Sequence, residues 1–260
     1  MRKTTLFGVG LALLSVGPVQ AADLAALREN GLLGVSLTVQ GDTLVIEDDG
    51  VPNHATGAFP MMRDGNGDGR PDNPNRIQAQ NYRFVVPLHP EPAAHTTPLP
   101  MGPVAISLGG VVFYNAYTAE RTDAVINEVF DDCKGHPDMR GRYHYHQFSP
   151  CAPSMPPSSD GHVGLMGWAF DGFELYGMAA PHDGALDECQ GHNDTARGYH
   201  YHMKAAFPYV MGCYRGTSTV KEGPGGQGMR PGQGGGIMNG RPPRPPRPNG
   251  ARKGPPPPWH

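Results

Sequence analysis

The sequence predicts a mainly β fold, or a β-rich α+β fold, in a single disulfide-bonded domain. Glycine and proline are abundant, with 37 and 29 residues among 260, and the apolar runs between them are short, as in folds made of many strands and turns. The tetrapeptide Tyr-His-Tyr-His occurs twice, and its alternation of side chains suits an extended strand. The segment 22–222 is long enough for one domain with its own core.

The apolar segments indicate a series of strands and hairpins. Residues 35–39 and 44–46 flank a Gln-Gly-Asp turn, which is typical of a hairpin, and residues 82–86 form another candidate strand. Residues 104–114 and 165–176 each contain a glycine-bearing turn between two apolar stretches. We expect both to be hairpins.

Helix signals are few. Residues 23–32 predict one short helix with Asp23 near its N-cap, whereas residues 123–130 are ambiguous.

The most specific pattern is an internal duplication. Cys133, His136 and the tetrapeptide 143–146 recur as Cys189, His192 and 199–202, with a constant offset of 56 residues. Each half therefore contains a hairpin, a loop with cysteine and histidine, and a strand bearing the tetrapeptide. The half repeats span about 102–151 and 163–213.

These motifs resemble those of the YHYH-domain proteins, a family of secreted proteins named after the tetrapeptide. The resemblance covers most of the chain and includes, besides the tetrapeptides, residues 52–60, 73–75, 169–177 and 186–192. It implies a family but no mechanism, because no established activity comes with it. The function is therefore argued from the residues.

The first 21 residues have the pattern of a secretory signal. Arg2 and Lys3 precede an apolar run over 6–16, and Val19-Gln20-Ala21 places a small residue at the end. The run is too short to span a bilayer. We expect export to the periplasm or the extracellular space.

The four cysteines form an even set, which suits an oxidising compartment. Three pairings are possible, and the duplication favours Cys133 with Cys151 and Cys189 with Cys213. The alternative is a zinc site with two thiolates and two imidazoles, from the Cys-x-x-His motifs that begin at Cys133 and Cys189. An oxidising compartment disfavours those free thiolates.

Residues 223–260 are rich in glycine, proline and arginine, a composition that predicts disorder. Of the 21 basic residues, six lie in this tail and two in the signal, which leaves 13 basic against 24 acidic residues and a net charge of −11 for the remainder. The tail is interpreted either as a solvated linker or as a contact for an anionic envelope surface. The acidic body disfavours a nucleic-acid reader.

The histidines of the duplicated motifs are the candidate metal ligands. In a strand, His144 and His146 share one face, as do His200 and His202, and His136 and His192 supply a third imidazole to each set. Such sets suit copper or zinc, among the transition metals, better than calcium. The alternative is architectural, with each histidine hydrogen-bonded to neighbouring backbone. One shared site and two separate sites both remain open.

Several carboxylates have candidate roles. Asp171 and Glu174 are weak catalytic candidates, and the alternative for Asp171 is a structural Asp-Gly turn. Asp138 and Asp194 follow the loop histidines and are candidates to orient them. Three further histidines are interpreted as incidental loop residues: His54, His162 and His182.

A second possible ion site lies in the Gly- and Asp-rich segment 64–75. Oxygen side chains alternate as in the first half of a calcium loop, but Asn75 occupies the twelfth position, where a bidentate glutamate is expected. A turn without an ion is the alternative. The possible calcium ligands are Asp64, Asn66, Asp68 and Asp72.

The sequence favours an exported transition-metal-binding protein, possibly a metalloenzyme. The competing hypothesis is a structural or adhesive cell-envelope protein in which the histidines are architectural. Motifs for a serine nucleophile, a phosphate-binding loop or dinucleotide binding are absent from the sequence.

Overall fold

The computed structural model describes residues 24, 27–29, 31–61, 72–180 and 184–220. The predicted signal, the tail over 223–260, His182 and the residues Asp64, Asn66 and Asp68 lie outside this part of the chain. Among the described residues, none of the helices is long and apolar enough to span a membrane.

The fold is mainly β, as the sequence predicts. A three-stranded antiparallel sheet comprises β1 (Ser36–Gln40), β2 (Thr43–Asp48) and β3 (Tyr82–Pro87). A two-stranded sheet pairs β4 (Thr97–Pro98) with β13 (Cys213–Tyr214). The remaining strands form one mixed sheet: β5 (Pro103–Ser107), β6 (Val112–Tyr114), β7 (Gly135–Pro137), β8 (Tyr143–Tyr145), β9 (Leu165–Ala169), β10 (Glu174–Met178), β11 (Gly191–Asp194) and β12 (Gly198–Met203).

The eight strands of the mixed sheet are arranged in the order β7-β8-β6-β5-β9-β10-β12-β11. In each half, a hairpin (β5–β6 or β9–β10) presents its second strand to the tetrapeptide strand in parallel, and that strand pairs antiparallel with the loop-histidine strand. The halves meet through the antiparallel pair β5–β9. Their identical topology matches the repeated motifs, and the duplication remains the interpretation of the sequence.

The strand pairing also fixes which face each tetrapeptide side chain occupies. Directly paired residues lie on the same face of a sheet. One face can be followed from the first tetrapeptide to the second, because each residue in the path is either directly paired with the next or two positions from it on the same strand. The path runs through Tyr145, Phe113, Ala105, Ala169, Gly167, Leu175 and Tyr201. The tyrosines of both halves therefore share one face, and the histidines of both halves share the other.

The tyrosine face forms part of the core. Tyr143, Tyr145 and Tyr201 are fully buried. The His54 ring stacks on Tyr145 with centroids 6.2 Å apart, so the segment after β2 covers this face. Elsewhere in the same core, Phe84 of β3 stacks on Phe170 at 4.5 Å.

The two central hairpins turn through glycines in the left-handed region, Gly110 at φ +90° and Gly172 at φ +96°. A Cβ at Gly110 would lie 2.1 Å from Asp48 Oδ1, and one at Gly172 would lie 2.6 Å from the Pro87 carbonyl oxygen. Both turns thus require glycine for φ and for close contact with the three-stranded sheet.

Helical structure is limited to short pieces among the described residues. Leu24 and residues 27–29 are helical, in the region where the sequence predicts a helix. The ambiguous segment contains a single turn, α1 (Ala124–Asn127), and Asp123 Oδ1 caps it by accepting from the Val125 N–H at 2.9 Å. The helix ends before Glu128.

Disulfides join Cys133 to Cys151 and Cys189 to Cys213. This is the pairing within each half that the duplication favours, and it rules out the thiolate zinc site because no free thiol is present among the described residues. Each bond closes a loop with a sequence separation of 18 or 24. In the chain-entropy model, such a loop contributes about 3 kcal/mol to stability.

Candidate metal centres

Two groups of side chains gather on the histidine face. Cluster A consists of His136, His144, His146 and Glu128. Cluster B consists of His162, His192, His200 and His202. In each cluster the histidine ligand atoms all lie within 4.8 Å of one another.

Cluster A forms because β7 and β8 place His136 and His144 directly opposite each other. Their Nε2 atoms are 3.1 Å apart, and the Nε2 atoms of His144 and His146 are also 3.1 Å apart. The two histidines of the tetrapeptide point to one face because successive strand residues alternate. Three imidazole nitrogens thus converge on one point.

The opposite nitrogen of each ring in cluster A faces a backbone carbonyl. The Nδ1 atoms of His136, His144 and His146 lie 2.9, 2.9 and 2.5 Å from their carbonyl oxygens, which belong to Val129, Arg142 and Asn115. A carbonyl only accepts, so each Nδ1 carries the proton. In a neutral ring the Nε2 atom then holds a lone pair, which is the form that binds a metal.

Glu128 completes cluster A from the residue that follows α1. Its Oε2 atom lies 3.3 Å from Nε2 of both His136 and His146. This oxygen is buried and has no hydrogen bond among the described residues. Burial raises the pKa of the carboxyl, whereas His136 and His146, in their protonated forms, lower its pKa to about 2.

Aromatic rings enclose cluster A. The Tyr114 ring stacks on His144 with centroids 3.8 Å apart, and the Phe130 ring lies 4.5 Å from His136. Burial, followed by the proximity of His136 and His146, lowers the pKa of His144 well below its usual value. The ring is therefore neutral and available as a ligand at physiological pH.

Cluster B repeats the arrangement at the other end of the sheet. His192 and His200 are directly paired between β11 and β12, and their Nε2 atoms are 2.9 Å apart. The Nε2 atom of His192 is also 3.1 Å from that of His202. Burial is the main cause that lowers the pKa of His200 to about 4.

Backbone carbonyls orient the rings of cluster B as well. His200 Nδ1 faces the Gly198 carbonyl at 2.9 Å, and His202 Nδ1 faces the Gly177 carbonyl at 3.2 Å. These carbonyls occupy the same topological positions as those of Arg142 and Asn115 in cluster A. The orienting contacts are thus repeated along with the ligands.

His162 is the fourth member of cluster B, and its interpretation as an incidental loop residue is wrong. Its Nε2 atom lies 3.0 Å from that of His200, while its Nδ1 atom faces the Val163 carbonyl at 2.9 Å. The side chain is buried, with 4% of its surface exposed. Sequence reasoning missed it because it comes from the loop before β9, outside the repeated motif.

The clusters are separate sites. β8 and β12 are five strand positions apart in the mixed sheet, which corresponds to about 24 Å across the sheet. Metal ions that share one reaction are about 4 Å apart. The arrangement therefore has two mononuclear candidate sites.

Comparison with known protein families gives a match over part of the chain. Residues 83–184 match the model of the YHYH protein family. This segment is therefore similar to the YHYH family. The matched segment contains the whole of cluster A but, of cluster B, only His162, and it covers less than half of the chain. Neither the curated proteins nor the solved structures contain a match to this chain.

The tyrosines of the YHYH motifs bond to carboxylates on the face opposite the histidines. Tyr143 OH donates to Asp131 Oδ2 at 2.8 Å, and Tyr199 OH donates to Asp187 Oδ2 at 2.9 Å. Each carboxylate also accepts two backbone N–H groups from the loop that carries the cysteine and histidine. Asp131 and Asp187, which sequence reasoning missed, thus fix the loop relative to the tetrapeptide strand.

The remaining tetrapeptide tyrosines use other partners. Tyr145 OH lies 2.5 Å from His54 Nε2. Tyr201 OH donates to Asp171 Oδ2 at 2.5 Å, and the Gly216 N–H donates to the same oxygen at 2.9 Å. Burial raises the pKa of Asp171. Asp171 is therefore a core carboxylate on the tyrosine face, distant from both clusters.

Glu174 contacts a tyrosine that packs against cluster B. Its Oε2 atom accepts from Tyr176 OH at 2.7 Å, and the Tyr176 ring packs against His162 with centroids 4.7 Å apart. Neither Glu174 nor Asp171 belongs to a metal-ligand group of the described residues. Their catalytic roles stay untested.

Asp138 and Asp194 do not orient the loop histidines. Asp138 pairs with Arg142 and accepts from Tyr114 OH at 2.9 Å. Asp194 pairs with Arg197 at 2.5 Å. For His136, the Val129 carbonyl carries out the orienting role that the sequence assigned to Asp138.

Two further groups contain cysteine: His54 with Cys133 and Cys151, and Glu188 with Cys189 and Cys213. Their sulfur atoms are engaged in the disulfides, so they offer no thiolate. Of the possible calcium ligands, only Asp72 belongs to the described residues, and the calcium site remains a prediction.

Proposed function

We propose that this protein is an exported transition-metal-binding protein that holds one copper or zinc ion at each cluster. The supporting observation is the convergence of Nε2 lone pairs at 2.9–3.1 Å. In a tetrahedral zinc site with Zn–N bonds of about 2.0–2.1 Å, the nitrogens lie about 3.3 Å apart. The spacing in both clusters is therefore close to that of a metal-bound set.

The protonation of the rings favours a cation over a purely architectural role. A hydrogen bond between two imidazoles needs one donor and one acceptor nitrogen. In cluster A all three Nδ1 atoms already donate to carbonyls, so the rings in their neutral form would face each other with lone pairs only. A cation at the centre removes this repulsion.

The ligand types support copper or zinc. Imidazole suits zinc, copper, iron and nickel, whereas hard ions such as calcium prefer oxygen. Both disulfides suit an oxidising compartment, which agrees with the predicted signal. The ions would reach the protein after export, in the periplasm or outside the cell.

Binding, storage or structural use of the metal fits better than catalysis. Catalytic zinc sites usually offer three protein ligands and keep one position for water. Cluster A presents three imidazoles and a carboxylate, and cluster B presents four imidazoles. A metalloenzyme would require one of these ligands to leave the metal.

The direct experiment is elemental analysis of protein purified after export. The parent is compared with two double variants, His144→Ala/His146→Ala and His200→Ala/His202→Ala, and with the control His89→Ala/His95→Ala, which removes two exposed histidines. The expected copper or zinc content is two ions per chain for the parent and control, and one for each cluster variant.

A metal content of zero in the parent after loading, with folded variants that have lost only stability, would contradict metal binding. It would support the competing hypothesis, a structural or adhesive envelope protein with architectural histidines. Near-UV circular dichroism shows whether each variant retains its packed core.

A further inference from the structure

We propose that the two clusters select ions of different charge: cluster A favours zinc(II), and cluster B favours copper(I). This inference rests on the proposed metal-binding function and assigns a distinct ion to each site. It follows from the one ligand position at which the halves differ.

That position is the fourth ligand. The six repeated histidines correspond one to one between the clusters, as do the Arg142 and Gly198 carbonyls that orient them. The fourth ligand comes from unrelated segments. It is the Glu128 carboxylate after α1 in cluster A and the His162 imidazole before β9 in cluster B.

The presence of a carboxylate in one cluster and an imidazole in the other gives the two ligand sets different charges. A carboxylate binds a metal as its anion and an imidazole binds it as the neutral ring, so a divalent ion held by cluster A would leave a net charge of +1. Four imidazoles add no charge, so in cluster B a divalent ion would keep its full charge and a monovalent ion would leave +1. The two occupied sites therefore have the same net charge when cluster A holds a divalent ion and cluster B holds a monovalent ion.

Three carboxylates near cluster B have partners of their own. Asp160 and Asp194 both pair with Arg197, at 2.6 and 2.5 Å. Glu174 accepts a hydrogen bond from the Tyr176 hydroxyl, and the Tyr176 ring packs against His200.

Burial makes the charge difference matter. His200 and His202 have no exposed surface, and His162 retains 4%. The cost of removing an ion from water rises steeply with its charge and is offset by a nearby opposite charge. Because imidazole binds both zinc and copper, the nitrogen ligands alone do not discriminate. The carboxylate decides the preference.

The test is a pair of anaerobic competition titrations with zinc(II) and copper(I). The background His200→Ala/His202→Ala leaves cluster A intact, and His144→Ala/His146→Ala leaves cluster B. For each background, the ratio of copper(I) to zinc(II) affinity is measured against chromophoric chelators. We expect this ratio to be roughly 10- to 100-fold higher for cluster B, the range that changes around metal ligands produce.

Variants that change the charge of the fourth ligand then test whether that charge causes the difference in the affinity ratio. In the cluster A background, Glu128→Gln keeps the side-chain size but removes the charge, and the ratio should move toward copper(I). In the cluster B background, His162→Glu should move it toward zinc(II). Glu120→Gln is the matched control, because it removes an exposed carboxylate from the same part of the chain, and it should leave the ratio unchanged.

Equal ratios in the two backgrounds, or a ratio that Glu128→Gln does not alter, would overturn this inference while metal binding stands. Failure of the parent protein to bind either ion would overturn the proposed function, and this inference with it.

Discussion

At the scale of single residues, the partner of Nδ1 orients the imidazole rings of both tetrapeptides. His146 Nδ1 contacts the Asn115 carbonyl and His202 Nδ1 contacts the Gly177 carbonyl, so both rings present Nε2 to their clusters. Metal-ligating histidines commonly donate their other N–H to a carbonyl or carboxylate, which fixes the tautomer and the ring plane. The backbone thus orients these rings without the help of an ion.

The metal-free protein should lose stability in acid. Burial lowers the pKa of His200 to about 4, while an unfolded histidine titrates near 6.5. Below pH 6.5 the unfolded chain binds more protons than the folded one, so the free energy of unfolding falls as the pH decreases toward 4 and is flat above 6.5. Urea denaturation of the chelator-treated protein at pH 8, 6.5 and 5 measures this.

The substitution His200→Asn removes one titrating ring. It should reduce the slope of the free energy of unfolding against pH between pH 6.5 and 5. An unchanged free energy of unfolding across this range in the parent would contradict the lowered pKa of His200.

Asp131 and Asp187 offer a matched comparison. Asp131 is buried and accepts four hydrogen bonds, including one from the Gly57 N–H at 2.8 Å. Asp187 is exposed and accepts three. Asp131→Asn should therefore cost roughly 2–3 kcal/mol, as for loss of hydrogen bonds to a buried charge, and Asp187→Asn clearly less. Chemical denaturation compares them, and an equal cost would contradict the account.

At the scale of elements, each disulfide ties a histidine-bearing loop to its own half. Cys133 begins the turn that leads into β7, and Cys189 begins the equivalent turn into β11. Lys134 and Gln190, the residues after these cysteines, both have positive φ, at 61° and 67°. The two loops thus share a backbone conformation as well as a sequence pattern.

Removal of one disulfide should therefore affect one cluster. Cys133→Ala/Cys151→Ala should lower the free energy of unfolding by about 3 kcal/mol and weaken metal binding at cluster A, with cluster B retained. Elemental analysis together with denaturation measures both effects. Loss of both ions in a folded variant would contradict independent halves.

Glycines at two hairpin turns, one in the three-stranded sheet and one in the mixed sheet, supply a prediction about stability. Gly41→Ala, at φ +58° with open space around its Cβ, should cost roughly 1–2 kcal/mol from the left-handed conformation alone. Gly110→Ala should cost more, because its Cβ would meet Asp48 Oδ1 at 2.1 Å. Thermal unfolding of both variants checks the order, and a smaller effect at Gly110 would contradict the packing of this turn.

Much of this element-level description follows from the sequence, because local patterns carry it. Strand class, hairpin turns and the six repeated histidines depend on alternation and spacing. Glu128 and His162 could not be found this way, because they lie outside the repeat and reach the clusters only through the tertiary fold. Asp131 and Asp187 did leave a signal, since each stands two residues before its cysteine at the same offset of 56.

At the scale of the whole molecule, one mixed sheet holds the two clusters near its opposite edges and on one face. The core lies between the other face and the three-stranded sheet. Because the clusters are about 24 Å apart and share no ligand, their contributions to stability should be additive.

Metal removal tests this additivity. Free ion at roughly 1,000 times its Kd stabilises the native state by about 4 kcal/mol per site, so chelation should lower the free energy of unfolding about twice as much in the parent as in either single-cluster variant. Denaturation with and without chelator measures the difference. A chelation effect in the parent no larger than in one variant would contradict two independent sites.

The most direct test of the central claim is a crystal structure of the metal-loaded protein with anomalous diffraction collected at the absorption edge of the bound metal. The account predicts two anomalous peaks. One lies about 2.0–2.1 Å from Nε2 of His136, His144 and His146, and the other lies at the same distance from Nε2 of His192, His200 and His202. Anomalous peaks elsewhere only, or clusters whose Nε2 atoms contact no ion after loading, would contradict it.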